Sequence, residues 1–551
     1  MVYPTPFAPR TQRLERLAAE PPEVLVVGGG ITGAGIALDL ALRGVRALLI
    51  EQDDWAAATS SASSRLIHGG LRYLEQFELG LVRESCLERA LLLRNAAGLV
   101  WPERFLFPVR RGDRVGLGKL AAGLGLYTLL SIPRTLGIPG LAGRARVRAL
   151  LPGVDAASLR GAGTYLDAAT DDARLTLAVV ASAAGAGATV LSRTELVGLE
   201  SGRAGVEARL GDRFDGGERT VQARAAVLCG GPFTEALRAR AGLAGRWITP
   251  TRGSHVLVPR ERLPTDGAVI FPSAVDGRVM FLIPWPRHTV IGTTDLDADA
   301  AAPPRATRAE VRYLLDSTGG LFPAAELSEA DVVATWSGLR PLLAAEGKDP
   351  SARSREERVV REGNLYTIAG GKLTGYRAMA EKLVARLARD TGLGRPGRRS
   401  PTRGHRLHGA LERRVDRPEW SRLGGDGERA LEHAWGKRYP AAGEAVMETC
   451  RRAPEGLRPL DGGTLLGEVD WAVRHEDCLG LADFCLRRTD LAYAPREEME
   501  ARIAPVLERL SGLLGWGEEQ RARDRAEFGE LLERIHGWRA DPVPGVPGPP
   551  A

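Results

Sequence analysis

The stretch from Val24 to Tyr73, VLVVGGGITGAGIALDLALRGVRALLIEQDDWAAATSSASSRLIHGGLRY, constrains this chain more than any other. A short apolar run, Val24 to Val27, leads into Gly28, Gly30 and Gly33 in GxGxxG spacing. Ile31 and Thr32 open an alanine- and leucine-rich helix to about Arg43, and a second apolar run, Ala47 to Ile50, ends on Glu51. This is the strand–helix–strand unit of a dinucleotide site. Gly28 permits the tight turn, Gly30 lets backbone N–H groups approach a pyrophosphate, and Gly33 lets helix and strand pack closely. The helix N-terminus offers partial positive charge to the phosphates. Glu51 can accept hydrogen bonds from both ribose hydroxyls, and its charge disfavours a 2′-phosphate, so NADP is not expected.

Around this unit the chain is long. Its 551 residues allow roughly three or four domains. Apolar residues make up 44% and charged residues 26%, as in a globular protein. The 75 basic and 69 acidic residues leave +6, which suits an anionic substrate or membrane surface and is too dispersed for nucleic acid. Five scattered cysteines, Cys86, Cys229, Cys450, Cys478 and Cys485, form no CxxC pair, so no metal site, iron–sulfur ligation or disulfide framework is expected. The N-terminus lacks an apolar core and a small-residue cleavage site, so it is not expected to be a signal peptide. Val115 to Ile132 is apolar and glycine-rich, contains Lys119 and is flanked by Arg110, Arg111, Arg114 and Arg134. Such a segment suits either the headgroup region of a membrane or a buried helix under a charged rim.

In chain order, helical spacing predicts a helix over Leu79 to Asn95 and an extended stretch from Arg104 to Val109. The region from about Leu150 to Asp172 reads as irregular, and Leu175 to Ala188 as an apolar helix. The run AAVLCGGPFTEAL, with Gly230 and Gly231, returns the chain to the first sheet. Between Trp247 and about Gly338, short β-branched runs punctuated by proline and glycine predict an inserted antiparallel sheet. NLYTIAGG is a strand that feeds a helix starting at Lys372, and a glycine-, proline- and arginine-rich linker covers Thr391 to Gly404. Helical spacing follows, and DPVPGVPGPPA reads as a disordered tail.

The motifs TSSASSRLIHGGLRYLE, RGSHVLVP, IPW…IGTTD, WSGLRPL and GGKLTGYR fall in one order, followed by RHEDCLGLADFCLRRTDLAY. Together they resemble the membrane-associated, quinone-linked FAD-dependent glycerol-3-phosphate dehydrogenases, from about residue 22 to 535. The resemblance implies a flavoenzyme that oxidises glycerol 3-phosphate to dihydroxyacetone phosphate, with hydride transfer to FAD and electrons passed to a membrane quinone. Such a site needs cations for the phosphate, a base near the hydroxyl and support for the reduced flavin. Missing cysteine clusters disfavour the relatives that use iron–sulfur chemistry, whereas oxygen as acceptor stays open. An FAD amine oxidase of the same fold is the rival reading.

The resemblance implies flavin contacts at Thr59, Ser60, Ser61, Ser64, His68, Gly69, Gly70 and Leu71, beside Gly28, Gly30, Ile31, Thr32, Gly33, Glu51 and Gly230. Gly371, Lys372, Leu373 and Thr374 would meet the flavin from the last helix. Arg72, Tyr73, His255, Arg340, Arg355 and Lys372 would line the substrate site. His255 would act as general base or orient the substrate, because an imidazole of near-neutral pKa can take a hydroxyl proton. Arg340 and Arg355 offer planar forks for a phosphate dianion. Lys372 is a rare choice among five lysines and seventy arginines, and at a helix start it would stabilise negative charge on reduced flavin or substrate.

The expected fold is an α/β Rossmann-like FAD-binding domain of the glutathione-reductase/amino-acid-oxidase type, with an inserted antiparallel α+β substrate domain and a C-terminal all-α domain. The FAD domain is expected from residues 20–110, 170–240 and 345–390, and the substrate domain from 111–169 and 241–344. A linker at 391–404, a helical domain at 405–538 and a disordered tail at 539–551 complete it. The flavin would lie between the first two domains. The expected partners are glycerol 3-phosphate, a membrane quinone and, peripherally, the cytoplasmic face of the cell membrane; no nucleic acid or metal is expected, and a homodimer stays open.

Overall fold

The computed structural model describes residues 3–344, 357–394, 399–413 and 428–542. Its first sheet has six strands, in the order Glu357–Glu362, Leu365–Gly370, Ala225–Leu228, Val24–Val27, Ala47–Ile50 and Thr189–Leu191. All neighbours pair in parallel except the first two. Side chains alternate across a strand, so a sheet whose strands are continuously apolar must be covered on both faces. Val24 and Val26 pack under the helices Ile31–Leu42, Asp172–Gly185 and Tyr376–Thr391, whereas Leu25 and Val27 pack against a three-stranded sheet spanning Thr194–Ala223. This is the Rossmann-like layer expected from the glycine unit.

The second sheet is mixed and larger. Its antiparallel core is Thr251–Pro259, His288–Gly292, Val279–Pro284 and Ala268–Pro272, with Ala334–Arg340 on the other side of Thr251–Pro259. Ala268–Pro272 then pairs in parallel with Val100–Arg110, which pairs with Leu159–Thr170. One face packs on the Arg308–Gly319 helix through Val256, Val258, Phe271 and Ile291. The other face, with Leu257, Ile270, Ile283 and Val290, lies under the C-terminal helical region. The C-terminal region is thus a lid on the substrate sheet.

Several expectations are corrected. Val100–Arg110, placed in the first domain by the 20–110 boundary, belongs to the second sheet. The stretch from Leu150 to Asp172 is not irregular; it contains the strand Leu159–Thr170. Its glycines hide the strand pattern because they serve close approach, and a Cβ on Gly161 or Gly163 would meet Ala142 O or the Leu120 side chain. Part of the 391–404 linker is docked, since buried Ser400 and Thr402 hydrogen-bond around Glu381 and Arg377. Of the tail, Asp541 is held by Arg305 at 2.6 Å and receives the Arg308 N–H; residues 543–551 lie outside the described residues. The C-terminal domain also contains a short hairpin, Pro459–Asp461 with Thr464–Leu465.

Buried ion pairs join the C-terminal region to the first sheet. Asp54, 1% exposed, accepts from Arg487 at 2.5 Å and from Arg488 at 2.7 and 2.9 Å. Asp477 accepts from Arg13 at 2.5 Å, Trp55 Nε1 at 2.9 Å and Ser192 at 2.7 Å. The Arg488 and Arg487 guanidiniums hold the Asp54 carboxyl, despite its burial, well below the usual carboxylate range.

Candidate functional site

A cavity of about 640 Å³ opens where the first sheet, the second sheet and the C-terminal region meet. Its floor is the glycine turn. Gly28 adopts φ +114°, and a Cβ there would collide with Cys229 O. A Cβ on Gly33 would collide with Gly28 O, so Gly33 is needed for the helix to seat on the turn. The helix Ile31–Leu42 starts on the cavity wall, and Ser60 Oγ accepts the Ile31 N–H at 3.0 Å. Glu51 accepts Gly29 N–H at 2.7 Å and Asp53 N–H at 3.0 Å, yet burial pushes its pKa up to about 7. Thr32, Thr59, Ser61, Gly230, Gly371, Lys372 and Leu373 also line this space.

The substrate-side wall is built by strand register. His255 pairs with Trp336, Gly253 with Gly338, and Thr251 with Arg340, so His255 and Arg340 share one face about 13 Å apart along the strand. The glycine pair between them leaves a flat floor. Over it, Ala62 O approaches Gly338 so closely that a Cβ would clash, and Thr59 Oγ1 donates to Leu339 O at 2.7 Å. The Arg340 guanidinium leans over Gly253, bound to Asp295 at 2.9 Å and Thr293 Oγ1 at 2.8 Å.

His255 is 2% exposed, stacks on Trp336 with centroids 4.8 Å apart, and shares a 2.9 Å hydrogen bond between Nε2 and Ser64 Oγ. Its Nδ1 is buried without a hydrogen-bond partner among the described residues. Burial, then Arg340 and Arg65, push its pKa down to about 3, so the ring is neutral. Lys372 is not the first residue of a long helix: it caps a single turn, Leu373–Gly375, and the α-helix begins at Tyr376. Gly370 and Gly371, both at positive φ, turn the strand toward that cap. Its ammonium sits 3.8 Å from the centroid of the buried Tyr73 ring.

His255 and Arg340 do not themselves line the cavity, which their strand pair meets through Trp336, Gly338 and Leu339, and other expected contacts also stand away from it. Ser64 is engaged with His255. Gly69 donates its N–H to Asp167 at 3.3 Å, and a Cβ on it would collide with Tyr127 and Cys86. Gly70, at φ +80°, lies against the Tyr73 ring. Leu71 packs on the second-sheet core, Thr374 is buried, and His68 is half-buried on the same loop. The Arg72 side chain and Arg355 lie outside the described residues.

Sequence reasoning missed Trp336 as a site residue, although it quoted the motif, because an apolar indole in a strand reads as core. It also missed Arg65, stacked 4.2 Å over Trp285 and 5.2 Å over Trp336. Leu486, Arg487, Tyr493, Leu531, Arg534 and Ile535 bring the C-terminal region to the same cavity. No local motif marks them, since they reach it only through tertiary packing.

The chain is 36% identical over 550 residues to a glycerol-3-phosphate dehydrogenase of Mycobacterium leprae, covering 95% of this chain and 90% of that protein. It belongs to the FAD-dependent glycerol-3-phosphate dehydrogenase family. An aerobic glycerol-3-phosphate dehydrogenase of Staphylococcus aureus is 37% identical over 380 residues, 67% of this chain and 68% of that one. The profile described as FAD dependent oxidoreductase matches residues 23–387, and that of the C-terminal domain of alpha-glycerophosphate oxidase matches residues 370–521. A solved structure, the glycerol-3-phosphate dehydrogenase from Bacillus halodurans complexed with FAD, superposes with TM-score 0.77 at 27% identity, covering 98% of this chain and 99% of that one.

FAD is thus the cofactor of this family member. The donor set fits it: a glycine turn open to a helix start, the half-buried carboxyl of Glu51 at the end of the second strand, and a hydroxyl-rich loop at Thr59–Ser61. Among the described residues no helix is long and apolar enough to cross a membrane, and no group of metal-ligating side chains is found. All five cysteines are free and buried.

Proposed function

We propose that this dehydrogenase oxidises sn-glycerol 3-phosphate to dihydroxyacetone phosphate and passes the electrons to a membrane quinone. FAD, held by the glycine turn and the Thr59–Ser61 loop, would supply the hydride acceptor for the substrate's middle carbon. One observation carries the reading: a histidine and an arginine share one face of a strand pair across a glycine floor, and that strand pair borders a cavity lined by Lys372.

The roles follow from charge. Arg340 and Lys372 attract the phosphate dianion, with Arg72 and Arg355 as further proposed ligands. His255 takes the hydroxyl proton. In the substrate-free protein it is a weak base, first because it is buried and then because Arg340 and Arg65 oppose a second positive charge. A phosphate paired with Arg340 cancels that repulsion and raises the basicity of His255 as the substrate arrives. Ser64 fixes the ring through Nε2. Trp336 and Tyr493 wall the reacting centre from water.

Peripheral attachment to the cytoplasmic face of the membrane is part of the proposal. Leu129, Ile132, Ile138 and Leu141 are 63%, 56%, 97% and 54% exposed on and after the helix Leu117–Ser131. That helix packs against the turn before Phe77, itself 84% exposed. Exposed Arg134, Arg144, Arg146 and Arg148 flank these side chains, which suits anionic headgroups. The expected headgroup segment is therefore favoured over the buried helix.

The test is anaerobic addition of glycerol 3-phosphate to the holoenzyme while flavin absorbance is followed. Bleaching is expected, and a flavin that stays oxidised overturns the substrate. Reoxidation by a soluble ubiquinone analogue much faster than by air supports the quinone, and the reverse order supports an oxidase. Co-sedimentation with anionic vesicles, lost in Ile138→Glu/Leu129→Glu, tests the membrane face.

A further inference from the structure

A second cavity, of about 230 Å³, lies between the second sheet's Val279–Gly292 hairpin and the C-terminal region. Its wall combines the rings of Trp285 and Tyr493 with four cations, Arg287, Lys437, Arg438 and Arg502, and four carboxylates, Asp171, Asp461, Asp490 and Glu498. Three of these have acids within ion-pair distance. Arg438 binds Glu468 at 2.5 Å, Arg287 binds Asp461, and Arg502 binds Glu498 and lies 3.4 Å from Asp461.

Lys437 differs. It is 4% exposed, and its ammonium lies 2.8 Å from the Trp285 ring centroid. It makes neither hydrogen bond nor ion pair among the described residues, although it lines the cavity. The nearby acids are engaged elsewhere: Asp490 accepts Trp285 Nε1 at 3.1 Å and lies 3.4 Å from Arg65, and Asp171 lies 3.9 Å from Arg65. Burial pushes Lys437 down to about 7 against the pull of Asp490 and Asp171. An ammonium with three donors and no acceptor is costly to bury. A lysine retained only to balance charge would be expected to touch an acid, and this one instead faces open space over an aromatic floor.

We propose that this cavity is a second ligand site, taking a small organic oxyanion, carboxylate or phosphate, whose charge meets Lys437 and whose carbon skeleton lies on Trp285 and Tyr493. The volume suits a compact metabolite rather than a nucleotide. Tyr493 lines both cavities, so an occupant touches a wall of the catalytic site.

The chain has only five lysines, which makes the test direct. Holoenzyme labelled with ¹³C at the lysine ε-carbon gives few signals; the Trp285 ring current moves that of Lys437 upfield, and its loss in Lys437→Arg confirms the assignment. Inorganic phosphate and, separately, lactate are titrated at constant ionic strength, with the Lys372 signal reporting any binding in the catalytic cavity. A saturable shift of the Lys437 signal, half complete near or below about 1 mM, is expected for at least one probe. Phosphate alone, lactate alone or both would assign the phosphate, the carboxylate or a general oxyanion site. A Lys437 signal that stays fixed with both probes, or drifts without saturating, overturns the proposal.

Discussion

The glycine cradle lines the larger cavity and the His255 wall reaches it through Trp336, but the two are specified in different ways. The cradle is local: its turn, helix start and acid lie within residues 24–51, and what matters is backbone conformation and the absence of Cβ atoms. The wall is non-local. His255 owes its environment to Trp336 across the strand pair, Ser64 on a distant loop and Arg65 beyond it. A local device fails as a whole when its geometry is changed, whereas an assembled one can lose a single function while the fold persists.

The largest effect expected from that contrast is Gly33→Val, whose side chain meets Gly28 O. It should abolish FAD retention, read as flavin absorbance per protein, along with much of the folded yield. Retained flavin would show that the cradle can shift, and would weaken its description as rigid backbone. His255→Ala should instead keep FAD and lower turnover about 10²–10⁴-fold, measured by the rate of anaerobic flavin bleaching. If both variants lost flavin equally, the distinction between cradle and wall would collapse.

Asp54→Asn tests a third kind of bond, between the cradle's own loop and the C-terminal region. It leaves two buried guanidiniums, Arg487 and Arg488, short of a counter-charge. A loss of about 3–5 kcal/mol is expected, seen as a lower Tm or denaturant midpoint. An unchanged midpoint would mean that the lid is held by apolar packing alone.

The smallest effect is also the sharpest. A pKa near 3 keeps His255 neutral, so kcat/KM, once the ionisation of the substrate phosphate is divided out, should show no histidine limb between pH 5 and about 6.5. Ser64→Ala should cost about 1 kcal/mol in kcat/KM. A limb near 6.5 in the parent enzyme would place the ring in water, contrary to its burial. The same shift makes the unfolded chain the better proton binder between pH 3 and about 6.5, so this group's contribution to stability declines as pH falls through that window.

Much of the first sheet was legible because its signals are short-range: apolar runs of four, glycines at fixed spacing, and an alanine-rich helix. The helix at Leu79–Asn95 was read to the residue for the same reason. The strand Leu159–Thr170 was not, since glycine and alanine placed for close approach imitate a loop. Family resemblance pointed to Ser64, His68, Gly69, Gly70 and Leu71 as a flavin loop. In the structure Ser64 bonds His255, Gly69 bonds Asp167 and Leu71 packs on the second sheet, contacts that the loop's sequence does not announce.

Sequence alone settled that a dinucleotide turn forms here, because the positive φ of Gly28 and the contact of Gly33 with Gly28 O are local, although Cys229 also crowds Gly28. It could not settle which ionisable groups are neutral or which cations go without an acid. Those depend on burial and on charges from tens to hundreds of residues away in the chain: Arg340 beside His255, Asp490 and Asp171 short of Lys437, Arg487 and Arg488 on Asp54. Electrostatic energy is set by distance and dielectric, and both exist only once the three layers have packed.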